Sequence, residues 1–155
     1  MEHSELIKRA AKWLTPKYGV VLTEYHCWTT EIPDVLGFRN RESILIECKV
    51  SRSDFFHDQK KAGRNNGARH FGNKRYYLVP DGMVAPNEIP SGWGLLYAKK
   101  NSFKKVIAAP WHSEAEIKVE EYNILYSLAR RATIRGYLQD LTKPLENRAI
   151  EPKTT

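Results

Sequence analysis

Cysteine is scarce in this chain: Cys27 and Cys48 are the only two, and neither belongs to a CxxC pair. That scarcity excludes a disulfide framework and reads as two reduced thiols. His26, His57 and His70 could be grouped with them, but the spacings match no established zinc pattern. Long apolar runs are also missing, which excludes a transmembrane helix and a membrane partner of that kind. The stretch Met1-Glu2-His3-Ser4-Glu5 is acidic, where a secretion signal is basic and then apolar. The expected location is therefore the cytoplasm. No glycine-rich phosphate loop occurs, so ATP-driven work has no support. Internal repeats and low-complexity tracts are absent.

Acidic residues are in the minority, 18 Asp and Glu against 25 Lys and Arg in 155 residues, and the formal net charge is +7. An excess of that sign favours a polyanionic partner. From Lys49 to Arg75 there are eight basic residues and only Asp54 and Asp58 to oppose them, a local +6. Hydrophobic residues at 41% and charged residues at 28% are ordinary for a globular protein. The length suits one domain, residues 1–143, followed by a polar, flexible tail at 144–155.

Ser4 is a candidate cap for a first helix through Leu14, in which Leu6, Ile7, Ala10, Trp13 and Leu14 form an apolar stripe. Val20 to Trp28, rich in β-branched and aromatic residues, reads as a strand. Ile32 to Gly37 and Ile44 to Val50 read as a hairpin around Asn40-Arg41-Glu42-Ser43. A short helix then starts near Ser51 or Asp54 and ends before Gly63, and Arg64 to Asn73 reads mostly as a loop. Arg75–Pro80, Trp93–Ala98 and Lys104–Ala108 are further strands. From Ser113, with Glu116 as a capping-box partner, Ile117, Tyr122, Leu125, Leu128, Ala129, Ile134, Leu138 and Leu141 recur at helical spacing. The fold class expected is α/β (α+β): a mixed central sheet flanked by helices, plus a long C-terminal helix.

The hairpin carries the chemistry. Strand alternation puts Glu47 and Lys49 on one face, and Ile46, Cys48 and Val50 on the other. Charged residues inside an apolar strand are costly to bury without a partner, and a divalent cation held by Asp34 and Glu47 would supply one. The plain alternatives are a turn aspartate after Pro33 and an exposed ion pair between Glu47 and Lys49. Glu24 shares a strand face with Leu22 and His26; it is either a further carboxylate for the site or an edge residue. Glu5 is explained by helix N-terminal electrostatics alone. The four tryptophans read as core or half-buried, and Tyr76 and Tyr77 as sheet packing.

Pro33-Asp34 followed by Glu47-Cys48-Lys49 resembles the signature of the PD-(D/E)XK nuclease superfamily. Glu47 to Phe55, Arg75 to Pro80 and Gly94-Leu95-Leu96 are similar to the MmcB-like branch of DNA-repair nucleases. The likeness spans roughly Leu6 to Ala98. It implies a restriction-endonuclease-like αβββαβ core and hydrolysis of DNA phosphodiesters, endo- or exonucleolytic, with Mg²⁺ or Mn²⁺. Asp34, Glu47 and the Cys48 backbone carbonyl would hold the metal, and Lys49 would orient water or stabilise developing charge. Gln59 and Lys60 are both candidates for an auxiliary group near the phosphate. Arg52, Lys60, Lys61, Arg64 and Arg69 are candidates for backbone-phosphate contacts. The alternative is a non-cleaving DNA-binding module of the same fold in a repair, replication or packaging assembly. The C-terminal helix would either pack on its own sheet or form a homodimer.

Overall fold

Apolar alternation and helical spacing both find their partners in one six-stranded sheet. The computed structural model describes residues 1–29, 31–60, 71–113 and 115–143. The elements in chain order are α1 (His3–Leu14), β1 (Val20–Thr23), β2 (Val35–Arg39), β3 (Glu42–Cys48) and α2 (Arg52–Gln59). They continue with β4 (Lys74–Pro80), a 3₁₀ turn (Pro86–Glu88), β5 (Gly94–Ala98), β6 (Phe103–Ile107), α3 (Ala115–Ile134) and α4 (Leu138–Leu141). Strand order follows chain order. The pairs β1/β2, β2/β3 and β5/β6 are antiparallel, whereas β3/β4 and β4/β5 are parallel. This is the expected mixed sheet, with α2 in the crossover from β3 to β4.

The sheet separates two apolar layers. Leu6, Ile7, Ala10 and Leu14 of α1 pack with Val35, Ile44, Ile46, Cys48, Leu78 and Leu96. On the other face Leu36, Leu45, Tyr77, Val79 and Leu95 meet Phe55 of α2 and Ile124 of α3. Buried on both faces, β3 and β4 read as nearly continuous apolar runs, as parallel strands do. Gly37 is required where the chain leaving α1 crosses β2: a Cβ there would lie 3.0 Å from the Ile44 side chain and 3.2 Å from the Tyr18 ring.

Several boundaries differ from the sequence reading. Ser4 lies inside α1, whose N-cap is Glu2, without a side-chain capping bond. The first strand stops at Thr23 because Glu24 adopts a left-handed φ of 44°. Strand β2 begins at Val35, so Asp34 stands just before it. Ser51 is the cap of α2 and accepts the Asp54 backbone N–H at 3.2 Å. On α3 only part of the apolar periodicity is buried: Ile117 and Ile124 are, while Tyr122, Leu125, Tyr126 and Ile134 are exposed. Trp28 and Trp111 are exposed as well, against expectation, while Trp93 is buried. The capping-box partner Glu116 and the tail at 144–155 lie outside the residues whose side chains are described.

Two polar clusters fasten this frame. Glu121 of α3 accepts from the Ser43 hydroxyl and from the Gly72 N–H at 3.0 Å, while the Ser43 hydroxyl accepts the Asn73 N–H at 3.1 Å. At the hairpin, Glu42 accepts from Tyr18 at 2.6 Å, Lys74 at 3.0 Å and Arg39 at 2.9 Å. Burial alone would raise the Glu42 carboxyl, but the hydrogen bonds from Tyr18, Lys74 and Arg39 outweigh it and hold it down to about 2. A folded-state pKa below the unfolded one stabilises above the unfolded value and ceases to do so as pH falls through the folded one. Glu42→Gln should therefore lose on the order of 1–2 kcal/mol at pH 7, with exposure of the cluster screening it. Urea denaturation should show the gap to wild type closing between pH 5 and pH 2. A pH-independent gap would mean that the carboxylate charge is not what matters.

Candidate active site

The register Val35↔Ile46 brings Asp34 opposite Glu47, and pleat alternation sends Glu47 to the α2 side of the sheet. Asp34 Oδ2 accepts the Cys48 backbone N–H at 2.8 Å, which fixes the carboxylate against the end of β3. Asp34 also closes β1: its carbonyl accepts the Glu24 N–H at 3.0 Å. The Cys48 thiol turns into the opposite layer, where burial first, then Asp34 and Glu47, push its pKa well up. Both cysteines are free thiols.

His3 at the start of α1 lies over this junction. Its Nε2 is 3.3 Å from Asp34 Oδ2 and 3.1 Å from the Cys48 carbonyl oxygen. A carbonyl oxygen only accepts, so in this pose Nε2 carries the hydrogen. The two oxygens thus converge on one point, as two ligands of a cation would. Among the described residues, no group of three or more His, Cys, Asp and Glu side chains is placed to hold a metal ion. The donor set on offer is two carboxylates, Asp34 and Glu47, with one backbone carbonyl. Hard oxygens in that small number suit Mg²⁺, which retains several waters and rarely takes an all-protein cage.

Lys49 follows β3, its backbone N–H bound to the Leu78 carbonyl at 3.0 Å. Its Nζ lies 3.4 Å from Glu47 Oε2 and 3.3 Å from Asp58 Oδ1. Asp58 is 1% exposed on the inner face of α2, and the Tyr77 hydroxyl donates to its Oδ2 at 2.8 Å. Burial works to lower the Lys49 pKa, but Glu47, Asp58 and Asp34 together raise it above the usual lysine value. The ammonium is therefore a fixed positive charge at neutral pH, suited to anion stabilisation and not to proton abstraction. A cleft of about 290 Å³ opens here, lined by His3, Cys48, Lys49, Asp54, His57 and Asp58.

The remaining candidates scatter. Glu24 is exposed beyond the end of β1, not on a strand face with Leu22 and His26. Gln59 donates its amide to the Glu88 carbonyl at 3.2 Å. Arg52 pairs with Glu88 at 2.6 Å, donates to the Met83 carbonyl at 2.9 Å and lies over the Phe56 ring. Arg52, one of the expected phosphate contacts, is thus engaged with Glu88 while its side chain stays 53% exposed. Lys60 is exposed at the end of α2, and Lys61, Arg64 and Arg69 lie outside the described residues. Sequence reading missed Asp58, Tyr77 and His3 as site residues. Asp58 had one available signal, its i, i+3 spacing from Phe55 on the buried face of α2.

No family model matches the chain, and no curated protein does. A solved protein of unknown function from Silicibacter pomeroyi shares the fold, with a TM-score of 0.60 and 26% identity, over 95% of this chain and 99% of its own.

Breaking a buried ion pair from one side costs about 3–5 kcal/mol, because a charge is left stranded. Asp58→Ala should cost less than that in chemical denaturation, because Glu47 still pairs with Lys49, yet more than Tyr77→Phe, which removes one hydrogen bond to a buried carboxylate, worth about 1.5–3 kcal/mol. Equal, small effects would show that Asp58 is solvated.

Proposed function

We propose that the chain is a Mg²⁺- or Mn²⁺-dependent nuclease that hydrolyses DNA phosphodiester bonds, acting in the cytoplasm. The observation that supports it most is the convergence of Asp34 Oδ2 and the Cys48 carbonyl on one point, with the Lys49 ammonium held nearby between two carboxylates. Among the described residues no helix is long and apolar enough to cross a membrane. The match to the PD-(D/E)XK pattern at Asp34, Glu47 and Lys49 is the second support.

In this reading Asp34, Glu47 and the Cys48 carbonyl hold the cation. When bound, the cation neutralises charge on the phosphoryl oxygens and lowers the pKa of water. The chain's own residues do the rest. The backbone N–H of Cys48 orients the Asp34 carboxylate. Lys49 sets a positive charge beside the phosphoryl group, where negative charge grows in the transition state. Asp58 and Tyr77 keep that ammonium from swinging into solvent. Substrate entry requires His3 to leave the two oxygens, a change available to a side chain whose surface is 43% exposed.

The rival reading is a non-cleaving DNA-binding module of the same fold. It gains from the engagement of Lys49 by two carboxylates and of Asp34 by His3, a set that is already satisfied without substrate. For either reading, the exposed Val119, Tyr122 and Tyr126 on α3 form the surface on which a second copy would pair.

Nuclease assays on plasmid, linear, single-stranded and branched DNA with Mg²⁺ or Mn²⁺ decide between the two. Wild type should cleave at least one form, and Asp34→Ala and Lys49→Ala should each lower the rate by about 10²-fold or more. If wild type cleaves nothing, or if the variants cut as it does, the nuclease assignment fails.

A further inference from the structure

Among the described residues, exposed cations without ion pairs gather beside α1. Lys99 pairs with Asp81, Lys118 with Glu121, and Lys74 and Arg39 with Glu42. By contrast, Lys12, Lys100, Lys104 and Lys105 form no salt bridge among the described residues, and all four are exposed. Tertiary structure brings Lys12 and Lys100 together between α1 and the β5–β6 hairpin, with Lys105 on the same face of the sheet, while Lys104, opposite Tyr97, faces the other layer. A groove of about 410 Å³ runs there, lined by Arg9, Lys12, Trp13, Lys100, Ser102 and Phe103.

The groove has an apolar floor and cationic walls. Trp13 and Phe103 meet edge to face with ring centroids 5.5 Å apart. The Arg9 guanidinium lies over Phe103 at 5.2 Å, and the Lys17 ammonium over Trp13 at 3.5 Å. Phe103 pairs with Ala98 and Lys105 with Leu96, so both side chains point to the α1 side of the sheet. Burial first, and then the nearby Lys105 charge, lower the Lys17 pKa, which places Lys105 close to Lys17 on the α1 side.

The groove also lies in line with the candidate site. Helix α1 begins with His3 on Asp34 and Cys48, then passes Arg9, which donates to the Lys99 carbonyl, and reaches Lys12 and Trp13. The helical rise puts Lys12 roughly 14 Å from His3. Lys99 and Lys100 follow the C-terminal end of β5, the same edge of the parallel strands at which Lys49 follows β3.

We infer that the groove between α1 and the β5–β6 turn is a binding site for single-stranded nucleic acid. It would hold the strand a few nucleotides from the Asp34–Glu47–Lys49 cluster. Phosphates would lie along Lys12, Lys100 and Lys105, and a sugar or base on the Trp13–Phe103 floor. A duplex offers its phosphates to such a groove but keeps its bases stacked inside, so the aromatic floor favours a single strand. This assignment deepens the nuclease reading by naming a substrate class, and binding alone tests it.

The experiment is fluorescence anisotropy of a labelled 20-nucleotide oligothymidine with the full chain in EDTA, at several salt concentrations. The double variant Lys12→Glu/Lys100→Glu changes only exposed residues. It should weaken binding by about tenfold or more and make the salt slope shallower by roughly 1–1.5. Arg130→Glu, exposed on α3 across the sheet, should change affinity less than twofold. Unchanged affinity in the double variant, equal loss with Arg130→Glu, or tighter binding to a duplex of the same length overturns the groove, as does binding to phosphatidylserine vesicles without binding to the oligonucleotide. Wild type that binds through the groove but cuts no DNA leaves the groove standing and removes the nuclease reading. Cleavage with unaltered binding in the double variant does the reverse.

Discussion

The ammonium of Lys49 is the charge on which this architecture turns. Glu47 at 4% exposure and Asp58 at 1% lie on two different elements that face each other across the same space. Removing either carboxylate from water costs several kcal/mol, and two together repel. A single cation at 3.4 and 3.3 Å resolves both costs and links the end of β3 to the inner face of α2. The Tyr77 hydroxyl adds β4 to the same cluster. With Phe55 packed in the adjacent layer, α2 is seated by an apolar contact and an ionic one, and the cleft beside it takes its shape from both.

The chemistry follows from where the parallel strands end. Ligands of α/β sheets sit beyond the C-terminal ends of parallel strands, because there the loops diverge and backbone groups are left open. Here β3, β4 and β5 end along one edge, followed by Lys49, Asp81 and Lys99. Antiparallel β2 starts at that same edge, which is how Asp34 arrives beside Cys48. The start of α1 closes the edge from above through His3. The candidate site and the basic groove are thus two parts of one border of the sheet, joined by the length of α1.

Much of this was legible from local pattern. The stripe on α1, the paired faces of β3 and the parallel crossover after it follow from periodicity and chain order, and the fold bears them out. The pairing of Asp34 with the end of β3 was legible too, because a short hairpin constrains register. Other features had no local trace. Asp58, which pairs with Lys49, sits 9 residues further along, and Tyr77, which donates to Asp58, sits 28 residues along, and nothing in a linear reading marks Asp58 as buried except its spacing from Phe55. Arg52 reads as an open cation until Glu88, on a distant 3₁₀ turn, takes it. The apolar residues of α3 have helical spacing all round, so periodicity alone could not say that Ile117 and Ile124 face the sheet while Tyr122 and Tyr126 face outward.

By itself, then, the sequence determined the elements, the alternation that puts Glu47 and Lys49 on one face, and the presence of an Asp-Glu-Lys set on a hairpin. These depend on neighbours two to four residues apart, where backbone geometry dictates the outcome. Only the tertiary structure decided which charges are buried together and which are left without a partner. Burial and ion pairing depend on what the sheet brings across from far along the chain: α2 onto Lys49, the 3₁₀ turn onto Arg52, and the β5–β6 turn alongside α1. The net charge of +7 was visible at once; that Lys12, Lys100 and Lys105 stand without ion pairs among the described residues, on the α1 side, emerged only when α1 was laid against the sheet.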